Sequence, residues 1–293
     1  MKIFIPNLQE GKIGGGMTFT KNFIDLAGEY IVDNLNDCDT FFISGVTLVS
    51  RDIFNSAKTL GKKIVVRVDG VPEDARNRGT GWSRLKDYTK EADLVIYQSD
   101  FVRRTVGNLL GVVGPVIYNG VDKSVFNTKN IDPSKKEYQN RILFVNYRKA
   151  EQNKRVEEAI ERFRYHKVKN PNAFMQFVGL FPKNIREWNF WMLDNEKGKD
   201  WNYFGVAHTP VELAQIMKEA RYIAFPSFAD PCPNTLIEAM SCGCKPLWLN
   251  DYGGQHDIVR LWHNIDWSRE RMIKEYIEVM KGLHDTSDKT TTE

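Results

Sequence analysis

A chain of 293 residues exceeds the size at which one hydrophobic core usually stops growing, so two domains are expected. Apolar residues make up 42% and charged residues 27%, and the balance of 41 basic against 38 acidic side chains excludes the concentrated positive charge of a duplex nucleic-acid binder. No apolar run approaches a membrane span, and the start MKIFIPNLQEG lacks the apolar core of a signal peptide, so a cytoplasmic location is expected.

In chain order, short β-rich runs at 2–6, 40–44, 64–68, 94–98 and 116–118 alternate with helical stretches at 18–34, 50–60, 84–91 and 100–110. The polar segment 127–140, with Pro133, reads as a linker. The pattern restarts at 141–145 and continues through 155–165, 174–178, 211–219, 222–225, 235–241 and 246–249. Residues 183–200, with Trp188 and Trp191, are too irregular to assign. A last helix over 268–283 carries Met272, Ile273, Tyr276, Ile277 and Met280 on one face, and the polar end DTSDKTTTE is expected to be disordered. This alternation predicts an α/β fold. Two Rossmann-like domains, 1–126 and 127–266, should face across a cleft, followed by a terminal helix at 267–284 and a tail at 285–293. Ligands should bind at the carboxyl ends of the strands.

The stretch FPSFADPCPNTLIEAMSCG, residues 225–243, is the most informative. A buried strand should end before Pro226-Ser227, cross a loop with Pro231 and Pro233, and enter a helix at Thr235. The N–H groups of Asn234, Thr235 and Leu236, with the positive end of the helix dipole, suit an anion such as a diphosphate. Asp230 and Glu238 bracket that turn, placed to accept hydrogen bonds from hydroxyls. Thr235-x-x-Glu238 equally fits a capping box that ties Glu238 back to the helix start.

Other candidates carry weaker signals. Gly14-Gly15-Gly16 lets a backbone approach a phosphate or forms a flexible turn, and it does not complete a dinucleotide fingerprint. Asp37-Cys38-Asp39 has the spacing of a D-x-D metal motif but precedes its strand, on the wrong side of the sheet, and is rejected. The five histidines lack ligand spacing, so no metal is expected. His256 either lines the cleft or sits on the surface. Cys38, Cys232, Cys242 and Cys244 read as free, mostly buried thiols of a reducing compartment.

The 230–243 segment resembles the donor-sugar motif of family-4 retaining glycosyltransferases of the GT-B fold. Glu238-Ala239-Met240-Ser241-Cys242-Gly243 matches its end, and Asp230 stands where the family has the first of two glutamates. Asn119-Gly120-Val121-Asp122 with Phe126 resembles the family's NGVD-x-x-x-F, a structural turn. Gly14–Gly16 resembles a Gly-Gly beside the donor phosphate and the acceptor.

The resemblance implies that Glu238 holds the nucleotide ribose and Asp230 touches the transferred sugar. It nominates Arg148 and Lys154, after the strand at 142–145, for the diphosphate, although both also fit solvated surface cations. Asp69 stands where many members have a histidine, and it either meets acceptor or sugar or caps its loop. The implied catalytic set is Arg148, Lys154, Asp230 and Asp69. The donor-binding set is Gly15, Gly16, Arg148, Lys154, Asn234, Thr235, Leu236 and Glu238.

The implied activity is metal-independent, retaining transfer of a hexose from a nucleoside-diphosphate sugar to a glycan, lipid-linked or small-molecule acceptor. No cofactor and no nucleic-acid partner are expected, and peripheral membrane contact is left open. Rivals are a nucleotide-sugar epimerase or hydrolase of the same architecture and a catalytically weakened nucleotide-sugar-binding protein. A nicotinamide dehydrogenase is disfavoured by the missing fingerprint.

Overall fold

A computed structural model describes residues 1–6, 15–71, 79–146, 154–181 and 199–285. The chain divides into two compact units, Met1–Gly120 with Asn264–Glu293, and Val121–His263. The sequence boundary at 126/127 thus lies six residues beyond the observed one, and the tail beyond Asp285 lies outside the described residues.

The first unit holds a parallel sheet of β1 (Ile3–Phe4), β2 (Thr40–Ile43), β3 (Lys63–Val68) and β4 (Leu94–Tyr97), in that spatial order. Phe41, Phe42 and Ile43 on β2 and Ile64, Val65 and Val66 on β3 are apolar runs buried on both faces, as a covered parallel sheet requires. The fifth expected strand, 116–118, reduces to a single bridge between Val116 and Tyr97.

Helix Gly15–Leu26 and the terminal helix Arg269–Asp285 share one core with this sheet. Phe19, Phe23, Phe42 and Tyr276 meet there with ring centroids 5.1–6.0 Å apart, mostly edge-on or tilted, the arrangement favoured by ring quadrupoles. All five apolar residues expected on the terminal helix are buried. Gly120 is required where that helix begins, because a Cβ would overlap the Ser268 carbonyl. The first helix starts three residues before the expected Thr18 and stops at Leu26. A 3-10 turn, Gly28–Tyr30, follows it.

The second unit holds β5 (Arg141–Asn146), β6 (Phe174–Gly179), β7 (Trp201–Gly205), β8 (Tyr222–Ala224) and β9 (Lys245–Leu247), all parallel. Their spatial order is β7-β6-β5-β8-β9, so the direction of winding reverses between β5 and β8. Helix Val156–Lys169 packs Val156, Ala159, Ile160 and Phe163 onto Phe144, Met175 and Phe177. Helix Pro210–Lys218 is capped by Thr209, whose Oγ1 accepts from the Glu212 N–H at 3.1 Å, with proline at its first turn. Part of the expected linker is helical, over Lys136–Asn140. Among the described residues, no helix is long and apolar enough to cross a membrane.

Candidate functional site

In a doubly wound sheet a ligand crevice opens where the strand order reverses, here at the carboxyl ends of β5 and β8. The two segments leaving those ends meet there. Lys154, after β5, places Nζ 2.8 Å from Oδ2 of Asp230, after β8, and both side chains are mostly buried. The Lys154 ammonium also stands 5.3 Å from the Phe225 ring centroid, and the neighbouring Arg155 guanidinium 4.9 Å from that of Phe228.

The backbone on either side of this ion pair is strained. Arg155 has φ +50° and Ala229 φ +54°, the left-handed region that costs a residue with a Cβ about 1 kcal/mol or more. Loop 250–254 and Gln255, the first residue of the helix Gln255–Leu261, brace the second segment. Tyr252 C=O accepts from Ala229 N–H, and Gly254 N–H donates to Asp230 C=O, both at 2.8 Å. The fully buried Gln255 directs its amide nitrogen to the carbonyls of Asn250 (2.6 Å) and Ser227 (3.2 Å). On the β5 side, Gly179 lies so close to Asn146 that a Cβ would overlap the Asn146 carbonyl.

The helix after Asp230 runs from Asn234 to Ser241, with Pro233 as an N-cap that supplies no side-chain hydrogen bond. The capping-box alternative for Glu238 therefore fails: Thr235 is already inside the helix, two residues past the cap position. Leu236 N–H is drawn to the Pro233 carbonyl at 3.2 Å, and its side chain lies in the core. Of the three expected donors, Leu236 is thus partly used, while Thr235 N–H has no acceptor among the described residues.

Glu238 is half-buried, and its carboxylate accepts no hydrogen bond among the described residues. Burial pushes its pKa from 4.5 up to about 7. A carboxyl poised near neutrality and lacking a partner can accept hydrogen bonds from a ligand's hydroxyls. All four cysteines are free and buried, and burial holds Cys242 up at about 12 and raises Cys244 further, so neither is a nucleophile.

In the first unit the structure brings Asp69 and the glycines together. Asp69 Oδ2 lies 3.7 Å from where a Cβ on Gly16 would be and 3.0 Å from that on Gly45. Gly15 and Gly16 open the helix Gly15–Leu26. Gly14 and Arg148 fall outside the described residues. Asp39 accepts from Lys2 N–H, at the opposite end of the sheet from the ligand side. His256 is a surface histidine whose Nε2 lies 2.8 Å from the Asn250 carbonyl.

Sequence reasoning missed the Lys154–Asp230 contact, which joins residues 76 apart, and the bracing Gln255. A Gly-Gly-Gln run after a strand was the available signal for the second. It also passed over Arg67, a cation inside the apolar run Ile64–Val68.

A family model described as "Glycosyl transferases group 1" matches residues 127–282, more than half of the chain, and spans Lys154, Asp230 and Glu238. No curated protein sequence matches significantly. Among solved structures, Anabaena Alr3699/HepE in complex with UDP is similar over 100% of both chains, at 14% identity and a TM-score of 0.66. The same protein in complex with UDP-glucose gives 16% identity and a TM-score of 0.67, covering 96% of this chain and 91% of that one. Sucrose-phosphate synthase (tll1590) from Thermosynechococcus elongatus covers 96% of this chain and 81% of its own at 15% identity and a TM-score of 0.58. At these identities the likeness establishes the fold, the α/β GT-B type.

Proposed function

The chain belongs to the group 1 glycosyl transferases, and from that premise we propose that it moves a hexose from a nucleoside-diphosphate sugar to an acceptor hydroxyl with retention of configuration. The observation that carries this reading is the Lys154–Asp230 pair at the switch point of the second sheet, beside a helix start and Glu238, which has no partner among the described residues.

Each group has a task that its chemistry fits. Lys154 turns from Asp230 to the diphosphate as the donor enters and neutralises charge on the departing oxygen. Arg148, assigned by motif alone, shares that task. A charge-assisted contact of this kind contributes about 1.5–3 kcal/mol. The N–H groups at Asn234 and Thr235 add donors and the positive end of the helix dipole. Glu238 accepts hydrogen bonds from the ribose hydroxyls. Asp230, released from Lys154, accepts from a hydroxyl of the sugar.

In the first unit, Gly15 and Gly16 let the backbone approach the donor phosphate, and Asp69 meets the acceptor or the sugar. Charge neutralisation is thus assigned to cations and backbone donors rather than to a metal ion. The UDP and UDP-glucose complexes of HepE make a uridine donor the first to try. The acceptor is a glycan, a lipid-linked glycan or a small molecule. The buried free thiols suit a reducing compartment such as the cytoplasm.

Calorimetric titration of the purified chain with UDP, GDP, ADP, CDP and NAD, with and without EDTA, tests the reading. One nucleoside diphosphate should bind regardless of EDTA. Binding of NAD alone, or binding that EDTA abolishes, would sink it.

A further inference from the structure

Arg67, the next-to-last residue of β3, is 1% exposed, yet among the described residues no carboxylate lies within ion-pair distance of its guanidinium. Nη1 donates to the Ser44 carbonyl and Nη2 to Asn119 Oδ1, each at 3.1 Å. The guanidinium carbon lies 3.9 Å from the centroid of the Phe19 ring, and Nε has no partner among the described residues. A buried charge without a counter-charge is costly to fold, and an apolar side chain of the same volume would be the cheaper filling. Arg67 is therefore poorly explained as a device for stability.

Its partners point to another role. Ser44 precedes Gly45, and the Ser44 Oγ meets Thr20 Oγ1 at 2.8 Å. Thr20 Oγ1 in turn donates to the Gly16 carbonyl at 3.0 Å. Gly45 and Gly16 are the two residues between which the Asp69 carboxylate lies. On the far side, Asn119 Nδ2 donates to Gln98 Oε1 at 3.2 Å, and Gln98 Nε2 to the Val68 carbonyl, next to Asp69, at 3.1 Å. Thr20, Ser44, Gln98 and Asn119 are all buried. The Gly45 wall is thus tied directly to a single guanidinium through the Ser44 carbonyl, and the Gly16 wall and the residue before Asp69 are each tied to it through two side chains.

We propose that Arg67 is a positioning residue, which sets the width of the Gly16–Gly45 slot and so aims Asp69 for the transfer reaction. The inference rests on the reading of Asp69 as a residue that meets acceptor or sugar. Lysine at this position keeps the charge, but one ammonium cannot span the Ser44 carbonyl and the Asn119 amide as the planar fork does.

The test measures UDP release from UDP-glucose by the full chain and by Arg67→Lys, Asp69→Ala and the double variant. Arg67→Lys should lower kcat about tenfold or more with KM for UDP-glucose within about twofold. The double variant should be no slower than Asp69→Ala alone, because Arg67 acts through Asp69. Multiplying effects in the double variant, or wild-type kcat in Arg67→Lys beside an impaired Asp69→Ala, overturns the inference alone. An Asp69→Ala enzyme as active as the wild type removes the reading of Asp69, and the inference with it. Should Arg67→Lys not fold, amide hydrogen exchange in the wild type decides: residues 16–20 and 44–46 should exchange only on global unfolding, and fast local exchange there contradicts the proposal.

Discussion

At the carboxyl end of the first sheet, Arg67, Ser44, Gln98 and Asn119 form one hydrogen-bonded chain that also reaches Thr20 and Val68, and each of the four is at most 5% exposed. At the carboxyl end of the second sheet, Lys154 and Asp230 keep 17% and 13% of their side chains open, and Glu238 finds no partner among the described residues. Both ends sit on parallel strands and both carry cations, so fold alone does not separate them. The difference lies in what the polar groups are left to bind. A buried network of this kind fixes geometry, whereas partly open groups beside a helix start, with strained residues on both flanks, hold capacity for a ligand.

The comparison can be broken in several ways. The largest effect is expected at Lys154: Lys154→Met should slow transfer about 100-fold, roughly 2.7 kcal/mol, as one charge-assisted contact to the diphosphate is lost. A variant with wild-type kcat would make the ion pair merely structural. In the network around Arg67 the loss should fall on folding as well as on turnover. Asn119→Ala leaves a buried guanidinium donor unsatisfied and should lower stability by about 2 kcal/mol in denaturant titrations, with nucleotide affinity unchanged. A weakened affinity would show that the network, through Gly16, shapes nucleotide binding as well as the aim of Asp69.

A smaller effect is expected at Glu238. Glu238→Gln retains the shape and loses the charge, and nucleotide affinity measured by calorimetry should fall about tenfold, or 1.4 kcal/mol. The smallest effect sharpens the same point through pH. The folded pKa of Glu238 is raised to about 7 from 4.5, so between those values the unfolded chain has released a proton that the folded chain retains. Stability should therefore fall as pH rises through this window. After allowance for partial exposure the fall is about 1–2 kcal/mol, and Glu238→Gln should lack that part of the slope. Identical pH profiles for the two proteins would contradict the burial argument.

Much of this molecule was legible in its sequence, for identifiable reasons. Apolar runs such as 64–68 and 141–145 mark strands covered on both faces, and the five apolar residues of the terminal helix repeat at helical spacing. The turn at 225–243 carries its punctuation in three prolines and a Cys-Gly end. Edges were harder. Strand Trp201–Gly205 buries only Trp201 fully and exposes Asn202 and Phe204, so it shows neither an apolar run nor a regular polar face.

Helix Gln255–Leu261 is seven residues long, too short for its period to register. The capping reading of Thr235 failed because the helix is capped at Pro233, two residues upstream. Arg67 illustrates a deeper limit: a cation inside an apolar run reads as an interruption, while its buried partners lie 23 and 52 residues away.

The most direct test of the site assignment compares one ligand on two proteins. The nucleoside diphosphate that binds most tightly to the wild type is titrated calorimetrically into a Lys154→Met/Glu238→Gln variant that melts as a folded protein. The account predicts a single site in the wild type and a Kd at least about 100-fold weaker in the variant. An unchanged Kd would place the nucleotide elsewhere and contradict the assignment of the switch point in the second unit as the donor site.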